Sequence, residues 1–254
     1  MTSIDLNCDM GEMPGALADG TQEALMSYIS SANVACGGHA GDAAMMRATI
    51  EQALRHGVRV GAHPGYEDPA NFGRNALQLS PEEIANSVHR QILALEKIAK
   101  PLGAVIGHVK AHGALYNQAA QDPLTARAIA EGVRRWKSDV ILVGLANSVM
   151  LDEFRLAAFS VAAEAFADRR YESDGTLRAR KFTDALLRDP EEAAAQAVRI
   201  VEQGNMIAAD GSVVSLAAQT ICIHGDTPGA LEIAAAVHHR LEQAGIVVRA
   251  LPRS

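Results

Sequence analysis

The side chains in this sequence that could do chemistry are carboxylates, imidazoles and one lysine that follow six short apolar segments. They are Asp9 and Glu12, His39 and Asp42, His63, Lys110 and His112, Glu164, and His224 and Asp226. Around one cavity, such groups can activate water, either directly as general acids and bases or through a divalent metal. From this set we assign catalytic roles to Asp9, Glu12, His39, His63, Lys110, His112, Glu164 and Asp226.

Four of these residues, Asp9, His39, His63 and His112, are also the candidate ligands of a divalent metal. Imidazole and carboxylate groups suit Zn²⁺ or Mn²⁺. No H-E-x-x-H or C-x-x-C spacing in the sequence selects a particular ion. Asp42 has an alternative role as a helix cap, which would explain it without any chemistry.

The arrangement of an apolar strand followed by polar side chains, which recurs along the chain, is most complete in residues 33–42, NVACGGHAGD. A short apolar strand is followed by a two-glycine turn, by His39, and by Gly41-Asp42 at the start of a helix. Paired glycines permit close approach of the backbone, so we expect this turn to leave room for a substrate or a metal. Cys36 could serve as a nucleophile, although small cysteines within strands are more often buried packing residues.

Arg169 and Arg170 follow the sixth predicted strand directly and are candidates to hold a phosphate or a substrate carboxylate. Alternatively, these two arginines belong to a basic loop that is exposed to solvent and binds no ligand. The sequence contains no G-x-x-x-x-G-K-[ST] phosphate loop, no G-x-G-x-x-G after the first strand and no G-x-S-x-G elbow. A nucleotide would therefore need a different kind of binding site.

Strands and helices that alternate along the chain must position these groups. Apolar runs predict strands at 4–9, 32–36, 58–62, 104–109, 140–145, 159–163 and 220–223, with a hairpin at 206–209 and 213–216 and a last strand within 246–251. Helical spacing and capping residues predict helices at 21–29, 43–56, 81–99, 123–136 and 148–156, one from Asp189 to Gly204, and one from Thr227-Pro228 to about Ala244.

This alternation predicts parallel βαβ units in a single (β/α)-barrel domain over residues 1–254, with seven strands rather than eight. Polar residues end nearly every strand, whereas an open sheet gathers its site at one switch point. In a barrel these ends meet at one mouth. His108, inside the fourth strand, could face the barrel interior, whereas the histidines at 56, 89, 238 and 239 fall in helices and are expected at the surface.

Composition narrows the class of protein further. The chain has 254 residues and a net charge of −7, which argues against a nucleic-acid partner. It contains no run of 18 apolar residues, so we expect no membrane span. The first residues lack a signal-peptide pattern, and three cysteines do not make a disulfide framework. We therefore expect a cytoplasmic protein with a small-molecule substrate; it could form a homo-oligomer.

Six ordered motifs resemble the LamB/YcsF lactam-utilisation family along the whole chain. They are DLNCDMGE (5–12), NVACGGHAGD (33–42), GAHPGY (61–66) with FGR (72–74), VKAHGALYN (109–117), EAFADRRY (164–171) and ICIHGDTPGA (221–230). The resemblance implies a barrel related to the polysaccharide deacetylases. It also implies the role of the A subunit in a bacterial ATP-dependent 5-oxoprolinase, which cleaves the 5-oxoproline lactam to L-glutamate together with separate B and C subunits.

Under this resemblance ATP is consumed as a co-substrate with Mg²⁺, and the subunit that binds it stays open. Asp9 and the histidines would orient water or a metal. Lys110 or Arg169 would hold the substrate carboxylate, and Glu164 or Asp226 would handle protons. Two alternatives stay open: a self-sufficient metal-dependent amidohydrolase or deacetylase, and a non-catalytic subunit that only binds substrate.

Overall fold

The structure, a computed structural model, describes residues 2–252. Its strands are β1 (Ser3–Met10), β2 (Ser31–Ala35), β3 (Arg59–His63), β4 (Ile106–Lys110), β5 (Ile141–Leu145), β6 (Ser160–Phe166), β7 (Asn205–Ile207), β8 (Val213–Ser215), β9 (Thr220–Ile223) and β10 (Val247–Val248). Its α-helices are α1 (Pro14–Ala18), α2 (Thr21–Leu25), α3 (Ala43–His56), α4 (Pro81–Ala99), α5 (Gly113–Ala119), α6 (Pro123–Arg134), α7 (Val149–Leu156), α8 (Pro190–Gln203) and α9 (Ala230–Gln243).

Seven parallel strands close into a barrel in the order β1-β2-β3-β4-β5-β6-β9, and β9 pairs back onto β1. Cys8 in the middle of β1 shows the closure, because it lies opposite Ala32 of β2 on one side and Ile223 of β9 on the other. The antiparallel β7–β8 hairpin lies between β6 and β9 in sequence, and β10 extends the sheet beside the start of β1. The predicted seven-stranded barrel is confirmed.

The helices cover the outside of the barrel, with α4 against α6 and α8 against α9. Helix α4 begins where the sequence indicates, since Ser80 and Glu83 form a reciprocal capping box ahead of Pro81. Asp42 caps α3 by accepting a hydrogen bond from the Met45 amide. None of the helices within residues 2–252 combines the length and apolar character that a membrane crossing requires.

Polar and apolar side chains alternate along β1, because successive residues of a strand face opposite sides. Leu6, Cys8 and Met10 pack among apolar neighbours, whereas Asp5, Asn7 and Asp9 are bonded to polar side chains of other barrel strands. His108 is 1% exposed and its Nε2 lies 2.7 Å from Asn33 Oδ1. Gly61 makes room for this ring, since a Cβ there would lie 2.0 Å from His108 Nε2.

Two predicted helix boundaries are wrong. Helix α2 ends at Leu25 rather than at residue 29. The last strand, Val247–Val248, lies within the predicted 246–251. The final helix begins at Ala230 with Gly229 as its N-cap, not at Thr227-Pro228. The Thr227 hydroxyl donates instead to Asp168 Oδ2, so a tertiary contact replaces the expected cap.

Candidate active site

A cavity of about 400 Å³ opens at the carboxyl ends of the barrel strands. Its polar wall is formed by Asp9, Glu12, His63, Lys110, His112 and His224, and its apolar wall includes Leu145 and Phe166. In a parallel barrel every strand directs its carboxyl end to this same mouth. Residues far apart in the sequence therefore share one small volume.

Glu12 lies at the centre of a histidine cluster. Its Oε1 is 2.8 Å from His39 Nε2, 3.1 Å from His112 Nδ1 and 3.7 Å from His63 Nε2. The His39 and His112 rings stack with centroids 3.6 Å apart, and the Phe72 ring packs against their edges. His39 is 1% exposed and does not line the cavity, so it is placed behind His112 rather than at the cavity wall.

Hydrogen bonds to backbone carbonyls determine the tautomers of two histidine rings in this cluster. His63 Nδ1 lies 2.8 Å from the Lys110 carbonyl oxygen, and His112 Nε2 lies 3.0 Å from the Phe72 carbonyl oxygen. Since a carbonyl only accepts, both nitrogens are donors. In neutral imidazoles, His63 Nε2 and His112 Nδ1 are then lone pairs that face each other at 3.0 Å, beside Glu12. Two lone pairs at this distance repel each other, so the arrangement requires a cation or an added proton between them.

The donor set fits a divalent metal. One ligand atom each from Glu12, His39, His63 and His112 lies within 4.8 Å of the others, and all four residues are buried. Carbonyls that fix the outer nitrogens of metal-binding histidines are the usual second layer of such sites. Glu12 thus joins the three histidines where the sequence predicted Asp9 as the carboxylate ligand, and Asp9 Oδ2 lies 3.3 Å from His63 Nε2 at the edge of the cluster.

Charges inside the cluster shift its pKa values. Burial alone would raise the pKa of Glu12, but hydrogen bonds from His112 and His39 lower it well below its usual range. Burial lowers the pKa of His39 to about 4, despite the neighbouring carboxylate. Burial would also lower the pKa of His63, yet the Asp9 carboxylate beside it raises it. A carboxylate and a neutral His39 at neutral pH are the forms in which these groups bind metals.

Lys110 is buried in a second cluster beside the first. Its Nζ lies 3.0 Å from Asp9 Oδ1, 3.0 Å from Glu164 Oε1 and 3.0 Å from Cys222 Sγ. Burial would lower the pKa of Lys110, but Asp9, Cys222 and Glu164 raise it well above its usual range. Because these partners occupy its donors, Lys110 is poorly placed to hold a substrate carboxylate.

Glu164 lies behind Lys110 and does not line the cavity. It is fully buried, and its two oxygens accept hydrogen bonds from Asn7 Nδ2 at 2.9 Å and from the Tyr116 hydroxyl at 2.7 Å. With Lys110 as a third partner, this carboxylate is satisfied. Its geometry suits positioning Lys110 rather than moving protons to a substrate.

His224 and Asp168 form an oriented pair at the cavity wall. His224 Nδ1 lies 3.0 Å from Asp168 Oδ1, and Asp168 Oδ2 also accepts from the His224 amide and the Thr227 hydroxyl. Burial would raise the pKa of Asp168, but the His224 imidazole lowers it. A donated Nδ1 proton leaves Nε2 as the basic nitrogen, the orientation that a general base requires.

Asp168 was missed by the sequence analysis. The signal that could have found it is its position two residues after the end of β6, the same place at which polar residues follow the other strands. The thiol of Cys36 is excluded as a nucleophile by its surroundings, since burial raises its pKa to about 12.

Arginines form the outer rim of the cavity. Arg74, Arg169 and Arg180 line it, and Asp226 pairs with Arg74 and lies 3.6 Å from Arg180. Asp226 is thus a counter-charge for the rim. Arg170 does not reach this cavity, because it points to the outside and pairs with Glu192 at 2.6 Å.

The fold and the site define a class: a seven-stranded parallel (β/α) barrel with a carboxylate–histidine centre at its carboxyl-terminal mouth. A deacetylase solved with its substrate has the same fold, with a TM-score of 0.51 at 14% identity, covering 97% of this chain and 87% of that one. Within this class the chain belongs to the LamB/YcsF family, whose model matches residues 4–254.

Two relatives cover nearly the whole chain. A protein from Chloroflexus aggregans that is named as the A subunit of 5-oxoprolinase is 52% identical over 249 residues, which are 98% of this chain and 99% of the relative. The crystal structure of a lactam utilization protein from Thermus thermophilus is 44% identical, with a TM-score of 0.92, and covers 98% of this chain and 100% of that one. The family resemblance is therefore confirmed.

Proposed function

We propose that this chain is the A subunit of an ATP-dependent 5-oxoprolinase, which opens the lactam ring of 5-oxo-L-proline to give L-glutamate as ATP is hydrolysed. The name of the Chloroflexus aggregans relative supports this substrate. That name also describes one subunit of an enzyme, which supports partners, and we propose that they are the B and C subunits. We place the complex in the cytoplasm, with ATP and Mg²⁺ as the co-substrate.

The observation that carries the chemistry is His224, held by Asp168 with its second nitrogen at the wall of the cavity. A five-membered lactam is an unactivated amide, so phosphorylation of its carbonyl oxygen would make the carbon susceptible to water. His224 Nε2 would take a proton from the attacking water. The lactam nitrogen takes up a proton as the C–N bond breaks, which leaves an acyl phosphate on the former carbonyl carbon. A second water then releases inorganic phosphate and the side-chain carboxylate of L-glutamate. Asp168 would stabilise the imidazolium formed at His224.

Lys110 and Asp9 would supply the fixed charges of this site. Lys110 Nζ is held between Asp9 Oδ1 and Glu164 Oε1, so its position needs no rearrangement during the reaction. Preorganised charge in a water-excluded site stabilises a developing oxyanion far more than the same charge in water. Because its donors are occupied, we assign Lys110 to electrostatic stabilisation of the reacting carbonyl rather than to a hydrogen bond with it. Glu164 is assigned to the positioning of Lys110.

Glu12, His39, His63 and His112 are the residues that would hold a divalent metal. When bound, such an ion supplies Lewis acidity and lowers the pKa of a coordinated water. The contribution of the chain itself is the fixed tautomers: the Lys110 and Phe72 carbonyls keep His63 Nε2 and His112 Nδ1 as ligands. Asp9, next to His63, would orient the water or the metal.

The test is an assay of 5-oxo-L-proline conversion to glutamate by the chain with and without the B and C subunits and ATP, together with metal analysis of the purified chain. The proposal expects glutamate only when the partners and ATP are present. Glutamate release by the chain alone without ATP would contradict it, and would favour the self-sufficient metal amidohydrolase to which the Glu12 cluster also points. Full turnover by a complex in which His224 and Lys110 are replaced would instead indicate a subunit that only binds substrate.

A further inference from the structure

Arg169 is a buried cation with unused hydrogen-bonding capacity in the wall of the cavity. It is 6% exposed, and its Nη2 donates to the Arg178 carbonyl oxygen at 2.7 Å. Its Nε has no partner among the described residues. An unpartnered buried donor on a charged group is costly unless a ligand satisfies it. This side chain lines the cavity with hydrogen-bonding capacity that no described residue uses.

The rim around Arg169 carries more positive than negative charge. Arg74 and Arg180 also line the cavity, and Asp226 is the one carboxylate among the described residues that lies within ion-pair distance of either. Arg180 is 33% exposed and only 3.6 Å from Asp226, so it remains able to approach a second anion. Three arginines against one aspartate leave an excess of positive charge that suits an anionic ligand.

We propose that Arg169 and Arg180 form a subsite that holds one carboxylate of the substrate, with Asp226 as the counter-charge that sets its strength. This inference rests on the proposed function, since 5-oxo-L-proline carries a single carboxylate on its ring. Paired N–H donors of a guanidinium bind both oxygens of a carboxylate, and Arg169 uses Nη2 for the Arg178 carbonyl but has further donors. We assign the subsite to a carboxylate because 5-oxo-L-proline carries one, and inorganic phosphate is the competing ligand.

This placement divides the cavity between two tasks. The carboxylate end of the substrate lies at the arginine rim, and Leu145, Leu177 and Phe166 offer apolar contacts to its ring. The lactam carbonyl is then directed inward toward His224 and Lys110. Asp226, which the sequence analysis assigned to catalysis, acts at the binding end and not on the reacting atoms.

The first test compares Arg169→Gln, Arg180→Gln and the control Arg170→Gln in the complex with the B and C subunits. Arg170 is the matched control, because it is the next residue yet pairs with Glu192 outside the cavity. Loss of a charge-assisted fork predicts a rise of roughly 10- to 100-fold in KM for 5-oxo-L-proline in Arg169→Gln, a smaller rise in Arg180→Gln, and kcat changed less than about threefold. An unchanged KM in both cavity variants, or a fall confined to kcat, would overturn the subsite.

The second test measures binding to the full chain without partners, by calorimetry with 5-oxo-L-proline, 2-pyrrolidinone and inorganic phosphate. The subsite predicts that 5-oxo-L-proline binds more tightly than 2-pyrrolidinone, which lacks the carboxylate, and that Arg169→Gln removes this preference. Tighter binding of phosphate than of 5-oxo-L-proline would overturn the assignment to a carboxylate. Arg169→Lys keeps the charge but not the paired donors, so its preference for 5-oxo-L-proline over 2-pyrrolidinone should lie between those of the wild type and Arg169→Gln. This intermediate preference would show that the loss in Arg169→Gln is not caused by a folding defect.

Asp226→Asn provides a test of opposite sign. It removes the counter-charge of Arg74 and Arg180, so 5-oxo-L-proline should bind roughly 3- to 10-fold more tightly to the chain. Weaker binding would contradict the role of Asp226 as a counter-charge. If the complex produces no glutamate yet Arg169→Gln abolishes the preference for the carboxylate, the subsite stands and the proposed reaction fails.

Discussion

At the scale of single residues, the buried carboxylates of Asp168 and Glu12 position the histidines of the site. Asp168 fixes which nitrogen of His224 faces the cavity, and Glu12 brings three histidine nitrogens to one point. Both carboxylates are buried, and in both the neighbouring imidazoles lower a pKa that burial alone would raise. A buried carboxylate that is kept ionised by its partners is a common mark of a functional site.

Asp168→Asn should lower kcat of the reconstituted enzyme by roughly 100-fold or more, because the amide no longer fixes the His224 tautomer. KM for 5-oxo-L-proline should change little, since the Asp168 carboxylate makes its hydrogen bonds to His224 and Thr227. The control is Asp152→Asn, an exposed residue of α7 that pairs only with Arg155. Near-normal kcat in Asp168→Asn would remove His224 from the role of base.

Glu12→Gln should weaken divalent metal binding by more than about 100-fold, because the carboxylate is the only anionic ligand in the four-residue cluster. Metal content after equilibration with Zn²⁺ or Mn²⁺ can be measured by mass spectrometry. Glu67→Gln is the control, since Glu67 pairs with Arg90 on the surface. Equal metal content in both variants would show that Glu12 is not a metal ligand.

At the scale of elements, close packing between helices holds the barrel wall in place. Gly132 lies on the buried face of α6, where a Cβ would be 2.6 Å from the Ala85 carbonyl oxygen and 2.9 Å from Val88 Cβ of α4. The absent side chain lets the two helices approach. Gly61 does the same inside the barrel for the His108 ring.

Gly132→Ala should therefore lower the free energy of unfolding by about 1–3 kcal/mol, since overpacking outweighs the better helix propensity of alanine. Gly15→Ala in α1 is the matched control, because a Cβ there meets nothing within 4 Å. It should be neutral or stabilising by up to about 1 kcal/mol. Urea denaturation measures both, and equal effects in the two variants would contradict the packing argument.

At the scale of the whole molecule, the barrel encloses a polar column that links its two ends. Asp5 accepts hydrogen bonds from Ser31 and Thr220 at the amino-terminal end. Asn7 and Asn33 continue the column to Asp9 at the mouth. Each group is bonded to a side chain of a neighbouring strand, so the interior fixes the orientation of the site but makes overall stability sensitive to protonation.

His108 should make the protein less stable in acid. Burial lowers its pKa to about 3 in the folded chain, against 6.5 for the free side chain. Its stabilising neutral form is therefore fully present above pH 6.5 and is lost progressively as the pH falls toward 3. Between pH 7 and pH 5 this group alone should cost about 2 kcal/mol of unfolding free energy.

Urea denaturation of the wild type and of His108→Gln at pH 7 and pH 5 measures this contribution. The variant is expected to be less stable at pH 7, because its side chain fills the site poorly, but to lose about 2 kcal/mol less on acidification. His239→Gln is the control, since His239 is exposed on α9. Parallel losses in the wild type and His108→Gln would contradict a buried neutral imidazole.

Local sequence patterns were enough to predict the order and number of the barrel strands and the mouth at which Asp9, His63, His112 and His224 meet, but not helices α1 and α5. These features follow from local patterns, because apolar periodicity and capping act over a few residues and parallel strands must share one mouth. The capping roles of Asp42 and Ser80 were equally readable. Six ordered motifs indicated the family.

Which polar groups pair, and which keep unpaired hydrogen-bond donors, depends on the tertiary structure. Lys110 is satisfied by Asp9, 101 residues away in the chain, and by Cys222, 112 residues away. Arg169 faces the cavity and Arg170 faces the outside, although they are neighbours in one motif. Such outcomes depend on the direction of each side chain across a closed barrel, where one residue's step along a strand or loop reverses the side it faces.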